Sequence, residues 1–288
     1  MSDATHAATA AGAPMPALPP SPALARRLSA SPLLVALDID GTLAPIAPTP
    51  GGAAVPAATL ETLERLTKCQ GVQVALVTGR SAADALRMVG VSGCWIIGNH
   101  GIELIAPDGS LRVNEDAQSF APAIAEAARL LERRLAAFEG TIVEDKHWTL
   151  SVHFRLAAPE DRPAIERVLE DVGKEIGLRI THGKQVYELR PPVEITKGTA
   201  LLDLAAIVGA RDAAGALFYA GDDRTDEDAF RALRGHASGA VTVHVGGAIG
   251  GHATEAEFII PDPPALRELL EWLIVQRAGR ARIRAPNE

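Results

Sequence analysis

From residue 33 onward, short apolar runs alternate with helical patterns, and that rhythm is the strongest constraint on how this chain can fold. LLVALDID (33–40), QVALVTGR (73–80) and CWIIGNHG (94–101) are continuous apolar runs closed by polar or turn residues, as expected for strands buried on both faces. Between them, PAATLETLERLTKC (56–69) places Leu60, Leu63 and Leu66 at helical spacing, and SAADALRMV reads as a short helix with Ser81 as its N-cap. Strand–helix–strand alternation predicts a doubly wound parallel α/β sheet.

The rhythm breaks near residue 102. IELIAPDGSLRV (102–113) carries a hairpin signal at Asp108–Gly109. A helix (119–138), strands at 141–147 and 149–156, a second helix (159–177) and strands at 178–184 and 185–191 follow. Together they make an αββαββ unit. From Lys197 the first rhythm resumes: helix, strand ALFYAGDD, helix, strands AVTVHVG and EFIIP, and a closing helix. The core is therefore expected in two parts, 30–111 and 193–280, with a cap inserted at 112–192. Residues 1–29, rich in Ala and Pro, are expected to be a disordered or loosely docked arm, and 281–288 a mobile tail.

Composition narrows the function. The net charge of −8 argues against a nucleic-acid partner, which needs a basic face. No apolar run is long enough to span a membrane, and the N-terminus lacks a basic start followed by an apolar core. Cys69 and Cys94 have no metal-ligand spacing; free thiols fit a reducing, cytoplasmic compartment.

The chemistry sits at strand ends, where open α/β sheets bind ligands. Asp38 and Asp40, two apart, project to one side of the first strand's end. Their repulsion calls for a divalent cation, a shared proton, or both. Thr78 ends the second strand, Lys197 begins a helix, and Asp222, Asp223 and Asp226 follow strand LFYA. Each alone reads as a turn, a cap or a solvated charge; together, all at strand ends, they form a pattern. In the insertion, Leu150, Val152 and Phe154 oppose Ser151, His153 and Arg155. Tyr187 and Leu189 oppose Glu188 and Arg190, and Glu144 and Lys146 share a face. The polar face could be merely solvated. Its charged composition suits a hydroxyl-rich or anionic ligand.

The order DxDGT, Thr, Lys, GDDxxxD resembles the signature of the haloacid dehalogenase superfamily of phosphohydrolases. The resemblance implies a Rossmann-like core with an inserted cap, and covers nearly all of residues 33–275. Within that superfamily the chain looks most like the trehalose-6-phosphate phosphatases. The segments carrying this closer likeness are GNHGIE (98–103), Glu144 to Arg155 in the cap, GKxVxELRP (183–191) followed by KG, and YAGDDRTDED (219–228). His147–Trp148 departs from the expected smaller loop residues.

The resemblance implies an Mg²⁺-dependent phosphomonoesterase that converts trehalose 6-phosphate to trehalose and phosphate. Asp38 would be the nucleophile that forms an aspartyl-phosphate, and Asp40 the general acid and base. Thr78 and Lys197 would act on the phosphoryl oxygens. Asp38, Asp40 (through its carbonyl), Asp222 and Asp226 would hold the metal, with Asp226 acting through water or by orienting neighbours. Glu144, Lys146, His153, Arg155, Glu188 and Arg190 would recognise the sugar, with Asn99 and His100 near the hinge. Arg80 and Thr42 suit packing or turn roles equally well. The chain is expected to be a monomer, paired if at all with a separate trehalose-6-phosphate synthase chain. The rival readings are a capped phosphatase for another sugar phosphate, such as sucrose 6-phosphate, and a phosphosugar sensor without fast turnover.

Overall fold

The structure is a computed structural model describing residues 14–47, 50–183, 185–212, 214–236, 240–246 and 254–284. The chain begins with β1 (Met15–Pro16) and α1 (Pro22–Arg27), then runs β2 (Leu33–Asp38), α2 (Ala57–Thr67), β3 (Val72–Val77), α3 (Ala82–Val89) and β4 (Cys94–Gly98). A hairpin follows, β5 (Glu103–Ile105) and β6 (Leu111–Val113). Next come α4 (Glu115–Gln118), α5 (Ala121–Leu135), β7 (Ile142–Asp145), β8 (Leu150–His153), α6 (Arg162–Ile176), β9 (Arg179–Gly183) and β10 (Val186–Arg190). The chain closes with α7 (Lys197–Ile207), β11 (Ala216–Gly221), α8 (Arg224–His236), β12 (Val241–Val245), β13 (Phe258–Ile260) and α9 (Pro263–Arg284).

The core is one sheet in the order β1-β13-β12-β11-β2-β3-β4-β5-β6. It is parallel from β1 to β4 and antiparallel through β5 and β6. Every residue of β2 and β11 is buried, as their unbroken apolar runs require. The chain winds outward from β2 through β3 and β4, then returns to β2's other side with β11. That reversal opens a crevice at the strands' C-terminal ends, so Asp38 on β2 and Asp222 after β11 face each other across it.

The insertion forms its own antiparallel sheet, β7-β8-β10-β9. Leu150, Val152, Phe154, Tyr187 and Leu189 pack with the apolar faces of α5 and α6 into a separate core, and Phe154 stacks on Tyr187 at 4.6 Å between ring centroids. The alternation seen in the sequence thus places Ser151, His153, Glu188 and Arg190 on the opposite face, which turns toward the crevice.

Two expectations at the ends of the chain are corrected. Within the expected disordered or loosely docked arm, residues 14–29 are ordered against the core. Met15 and Pro16 pair in parallel with β13, Ser21 caps α1, and Leu24 and Leu28 are each 1% exposed in the main hydrophobic cluster. Arg27 adds an ion pair to Glu257 at 2.6 Å. Two leucines one helical turn apart suffice because α9 supplies the facing surface. Residues 1–13 lie outside the described residues. At the other end, α9 continues to Arg284, so 281–284 of the expected tail are helical; 285–288 lie outside the described residues. No helix among the described residues is long and apolar enough to cross a membrane.

Candidate active site

Asp38 closes β2 and is 4% exposed. Beyond it the chain turns sharply at Gly41, whose φ is +93°. A Cβ there would come within 2.2 Å of Asp222 Oδ2, so only glycine lets the Asp38–Gly41 backbone lie against that carboxylate. Lys197, the first residue of α7, is buried and donates to Asp38 Oδ1 (2.8 Å) and Asp226 Oδ1 (2.7 Å). Its position follows from the Thr196 N-cap, which forms a capping box with Thr199 and orients the first turn.

Asp226 is engaged on both oxygens. Oδ1 accepts from Lys197 and from the Tyr219 hydroxyl. Oδ2 accepts from the backbone N–H groups of Asp222 (2.9 Å) and Asp223 (3.0 Å). Asp223 in turn takes Thr225 and the Asp226 N–H onto its Oδ1. Asp226 therefore clamps the loop after β11 and anchors Lys197. Tyr219, fully buried in β11, looked in the sequence like an ordinary strand residue; its hydroxyl contact could not be seen there.

Burial pushes the Asp38 carboxyl upward, Lys197 opposes it, and Asp226, Asp222 and Asp223 add to the upward push. Burial alone would lower the Lys197 ammonium, but Asp226 and Asp38 hold it well above its usual range. Asp38, Asp222 and Asp226 bring buried carboxylate oxygens within 4.8 Å of one another. This concentration of hard oxygen donors, more negative than Lys197 balances, fits a small divalent cation.

Asp40 lies two residues on and is more open. Arg80 holds it through two parallel hydrogen bonds of 2.7 Å, Nε to Oδ2 and Nη2 to Oδ1. The same guanidinium reaches Asp84 at 2.9 Å. Arg80 thus joins the candidate site, a placement that local sequence left ambiguous, since its partner is 40 positions away. Thr78 directly follows β3 with its side chain buried, and its Oγ1 accepts from the Arg80 N–H at 3.1 Å. Thr42 is fully buried in the turn.

The cap meets this edge through a buried polar network. Asn99 and His100 both adopt left-handed backbone, φ 46° and 57°, which few residues other than glycine do. Their N–H groups bond the carbonyls of Arg80 (2.7 Å) and Thr78 (3.0 Å), which holds the turn. Asn99 donates to Glu103 (2.7 Å) and the Lys146 carbonyl (3.3 Å), and accepts from Thr149 (2.6 Å). Lys146 Nζ donates to the Gly79 carbonyl (2.8 Å) and lies 3.4 Å from Glu188. Glu188 also meets His100 at 3.0 Å and Arg190. Burial alone would raise the Glu188 carboxyl; His100, Lys146 and Arg190 outweigh it and hold it well below the usual range. Burial pushes the His100 imidazole down to about 4.

Glu144 pairs with His153 at 2.7 Å. Burial would raise its carboxyl, but His153, Lys146 and Arg80 hold it down. Arg155 lies apart from this cluster and donates to the Ala47 carbonyl at 2.7 Å, tying the cap to the segment that follows β2. At the cap loop, His147 takes a left-handed φ of 71° and its N–H is received by Asp145 Oδ1 at 2.7 Å.

The chain is similar to known proteins along most of its length. The trehalose-phosphatase family model matches residues 36–264. The trehalose-phosphate phosphatase of Mycolicibacterium paratuberculosis is 39% identical over 246 residues, covering 84% of this chain and 62% of that protein. Its Mycobacterium tuberculosis counterpart is 36% identical over 244 residues, covering 84% and 61%. The chain therefore spans about three fifths of the length of these curated relatives. A crystal structure of a trehalose-6-phosphate phosphatase related protein superposes with a TM-score of 0.74 at 26% identity, covering 86% of this chain and 99% of that one. The C-terminal domain of the Candida albicans trehalose-6-phosphate phosphatase shares the fold, with a TM-score of 0.74 at 21% identity, covering 93% and 99%. The chain belongs to the trehalose-phosphatase family, on a haloacid dehalogenase-like α/β core.

Proposed function

We propose that this protein is a phosphomonoesterase that hydrolyses trehalose 6-phosphate to trehalose and phosphate. The observation that carries this reading is the buried Asp38–Lys197–Asp226 cluster opening beside Asp40 beneath a cap whose facing side chains are Glu144, Lys146 and Glu188. Membership of the trehalose-phosphatase family supports the choice of sugar.

Asp38 attacks phosphorus. Its Oδ–P bond forms as the bond from phosphorus to the sugar oxygen breaks, and Asp40 gives its proton to that oxygen. Asp40, now ionised, takes a proton from water; the water oxygen attacks the aspartyl-phosphate, and inorganic phosphate leaves as Asp38 is regenerated. Lys197 sits on Asp38 and neutralises charge that spreads over the phosphoryl oxygens. Thr78 offers a hydroxyl at the same strand-end edge. Asp40 must loosen its grip on Arg80 to serve the leaving oxygen, so Arg80 holds the acid–base group ready at the crevice wall. Mg²⁺ suits the donor set: Asp38, Asp222 and the Asp40 carbonyl would hold it, with Asp226 ordering the loop behind them. When bound it supplies positive charge for the phosphoryl group.

In the cap, Glu144, Lys146, Glu188 and Arg190 offer charge-assisted partners for sugar hydroxyls, His153 positions Glu144, and Arg155 secures the cap to the core. Asn99 and His100 join cap to core at the rim. The free thiols of Cys69 and Cys94 suit a reducing, cytoplasmic compartment.

The test is phosphate release from trehalose 6-phosphate, sucrose 6-phosphate and glucose 6-phosphate with Mg²⁺. Preference for trehalose 6-phosphate that disappears in Asp38→Asn and on chelation, and returns when Mg²⁺ is restored, is the expected result. Turnover of another sugar phosphate instead would overturn the substrate assignment; no turnover would favour a sensor.

A further inference from the structure

The segment GNHGIE (98–103) ends in Glu103, a buried carboxylate that takes no part in the chemistry at Asp38. Glu103 opens β5 and pairs on both sides, with Gly98 of β4 and Val113 of β6. Its Oε2 receives two N–H donors, each at 2.7 Å: the backbone N–H of Ala82, the first residue of α3, and Asn99 Nδ2.

We infer that Glu103 is a positioning residue that fixes the amide of Asn99 and, through it, the cap turn 146–149 that carries Lys146. The inference deepens the proposed function and rests on it only for the identity of the sugar.

Asn99 is a point where core and cap touch. Its Oδ1 accepts from the Thr149 hydroxyl at 2.6 Å, and its Nδ2 reaches the Lys146 carbonyl at 3.3 Å, so it grips the cap turn at both ends. The turn is closed on itself by the Lys146 N–H on the Thr149 carbonyl (3.0 Å) and the Trp148 N–H on the Lys146 carbonyl (2.9 Å). From there Lys146 sends its Nζ to the Gly79 carbonyl at 2.8 Å. A displaced turn would carry the Lys146 side chain with it.

Glu103 decides which way round Asn99 stands. A side-chain amide has a donor end and an acceptor end of nearly the same shape. Turned over, Asn99 would set its oxygen against Glu103 Oε2 and the Lys146 carbonyl at once. The Lys146 contact is long, and a threonine hydroxyl can donate or accept. The bond to the carboxylate is therefore the strongest constraint on the amide.

The oxygen that orients Asn99 is itself held firmly. A Cβ at Gly98 would lie 2.4 Å from the Ala82 nitrogen, so glycine lets the first turn of α3 lie directly on the end of β4. Ala82 is fully buried, and Glu103 gives its N–H the partner that water cannot. Glu103 is thus tied to the sheet by its backbone and to a helix by its side chain, the rigid support that a precise site needs.

The experiment measures amide hydrogen exchange in wild type, Glu103→Ala and Glu103→Gln. In the same proteins it measures kcat and KM for trehalose 6-phosphate and for p-nitrophenyl phosphate, which has no sugar for the cap to hold. In Glu103→Ala, exchange across 146–149 should rise about tenfold, while β10 of the same cap stays within about twofold. KM for trehalose 6-phosphate should rise by a similar factor, and KM for p-nitrophenyl phosphate by less than about threefold. Glu103→Gln, whose amide oxygen can stand where Oε2 stands, should keep both readouts within about threefold of wild type. Should Glu103→Ala fail to fold, Glu103→Asp, which draws the oxygen back by one methylene, carries the test with the same expected direction. Exchange at 146–149 that stays as in wild type, or rises no more than in β10, would overturn the positioning role and leave Glu103 as a support for α3 alone. A wild type that does not turn over trehalose 6-phosphate would instead overturn the proposed substrate, and exchange at 146–149 would still decide the role of Glu103.

Discussion

At the scale of single residues, the site is organised by side chains that contact one another far more than they contact solvent. Tyr219 shows what this means. Its hydroxyl shares Asp226 Oδ1 with Lys197, and its ring packs on Phe230 at 5.5 Å. Tyr219→Phe keeps the ring and removes one donor to a buried carboxylate, an interaction worth about 1.5–3 kcal/mol. Part of that loss should loosen Lys197 on Asp38. We predict that kcat falls about tenfold, equivalent to about 1.4 kcal/mol, with KM within twofold. A merely structural tyrosine would lower the melting temperature and leave kcat of the folded enzyme unchanged, and that outcome would refute the role. Asp38, Asp40, Lys197 and the Asp222–Asp226 run could be found in the sequence because each stands in a short motif, at a strand end or, for Lys197, at the start of a helix. Tyr219 and Arg80 could not be assigned, because what defines them is a partner brought close by the fold: Asp226 across a turn, and Asp40 from the neighbouring strand.

At the scale of elements, the alternation of buried runs and amphipathic helices was enough to place the parallel sheet, and period-two alternation was enough to orient the cap strands. Helix α1 escaped that reasoning. It has six residues, and its sequence, PALARR, is too short for a periodic signal. Its burial is decided by α9, some 240 positions later, where Arg277 donates to the carbonyls of Leu28 and Ala30. The small cavity between α1 and α9 likewise arises only from their pairing. Since Leu24 is 1% exposed, Leu24→Ala should cost about 2–5 kcal/mol, lowering the melting temperature by several degrees. KM for the phosphate ester should stay the same, because α1 lies at the N-terminal ends of the strands, where Arg27 bonds Glu257 and the Ala240 carbonyl, opposite the end of β2 that carries Asp38. An unchanged melting temperature would show that α1 does not hold to the core in solution.

At the scale of the whole molecule, cap and core are joined by a buried polar seam, and that seam makes the fold sensitive to acid. His100 meets Glu188 from the core side while Lys146, Arg190 and Ser151 approach Glu188 from the cap, and Lys197 lies behind the imidazole. In the folded protein His100 titrates at about 4, against about 6.5 in an unfolded chain. Between those values the unfolded chain binds a proton that the folded one refuses. Stability therefore falls as pH drops from about 6.5 to 4 and is fully present above that window. The span corresponds to at most about 3.4 kcal/mol. Glu188, held well below its unfolded value near 4.5, works in the same direction but later: its contribution is present above pH 4.5 and is lost only below it. Melting temperatures measured at pH 7.5, 6.0 and 5.0 should decline in the wild type. In His100→Gln, which keeps a hydrogen-bonding side chain for Glu188 but cannot titrate, the decline over this range should be much shallower. Equal slopes in the two proteins would place the acid sensitivity elsewhere and release the seam from this role.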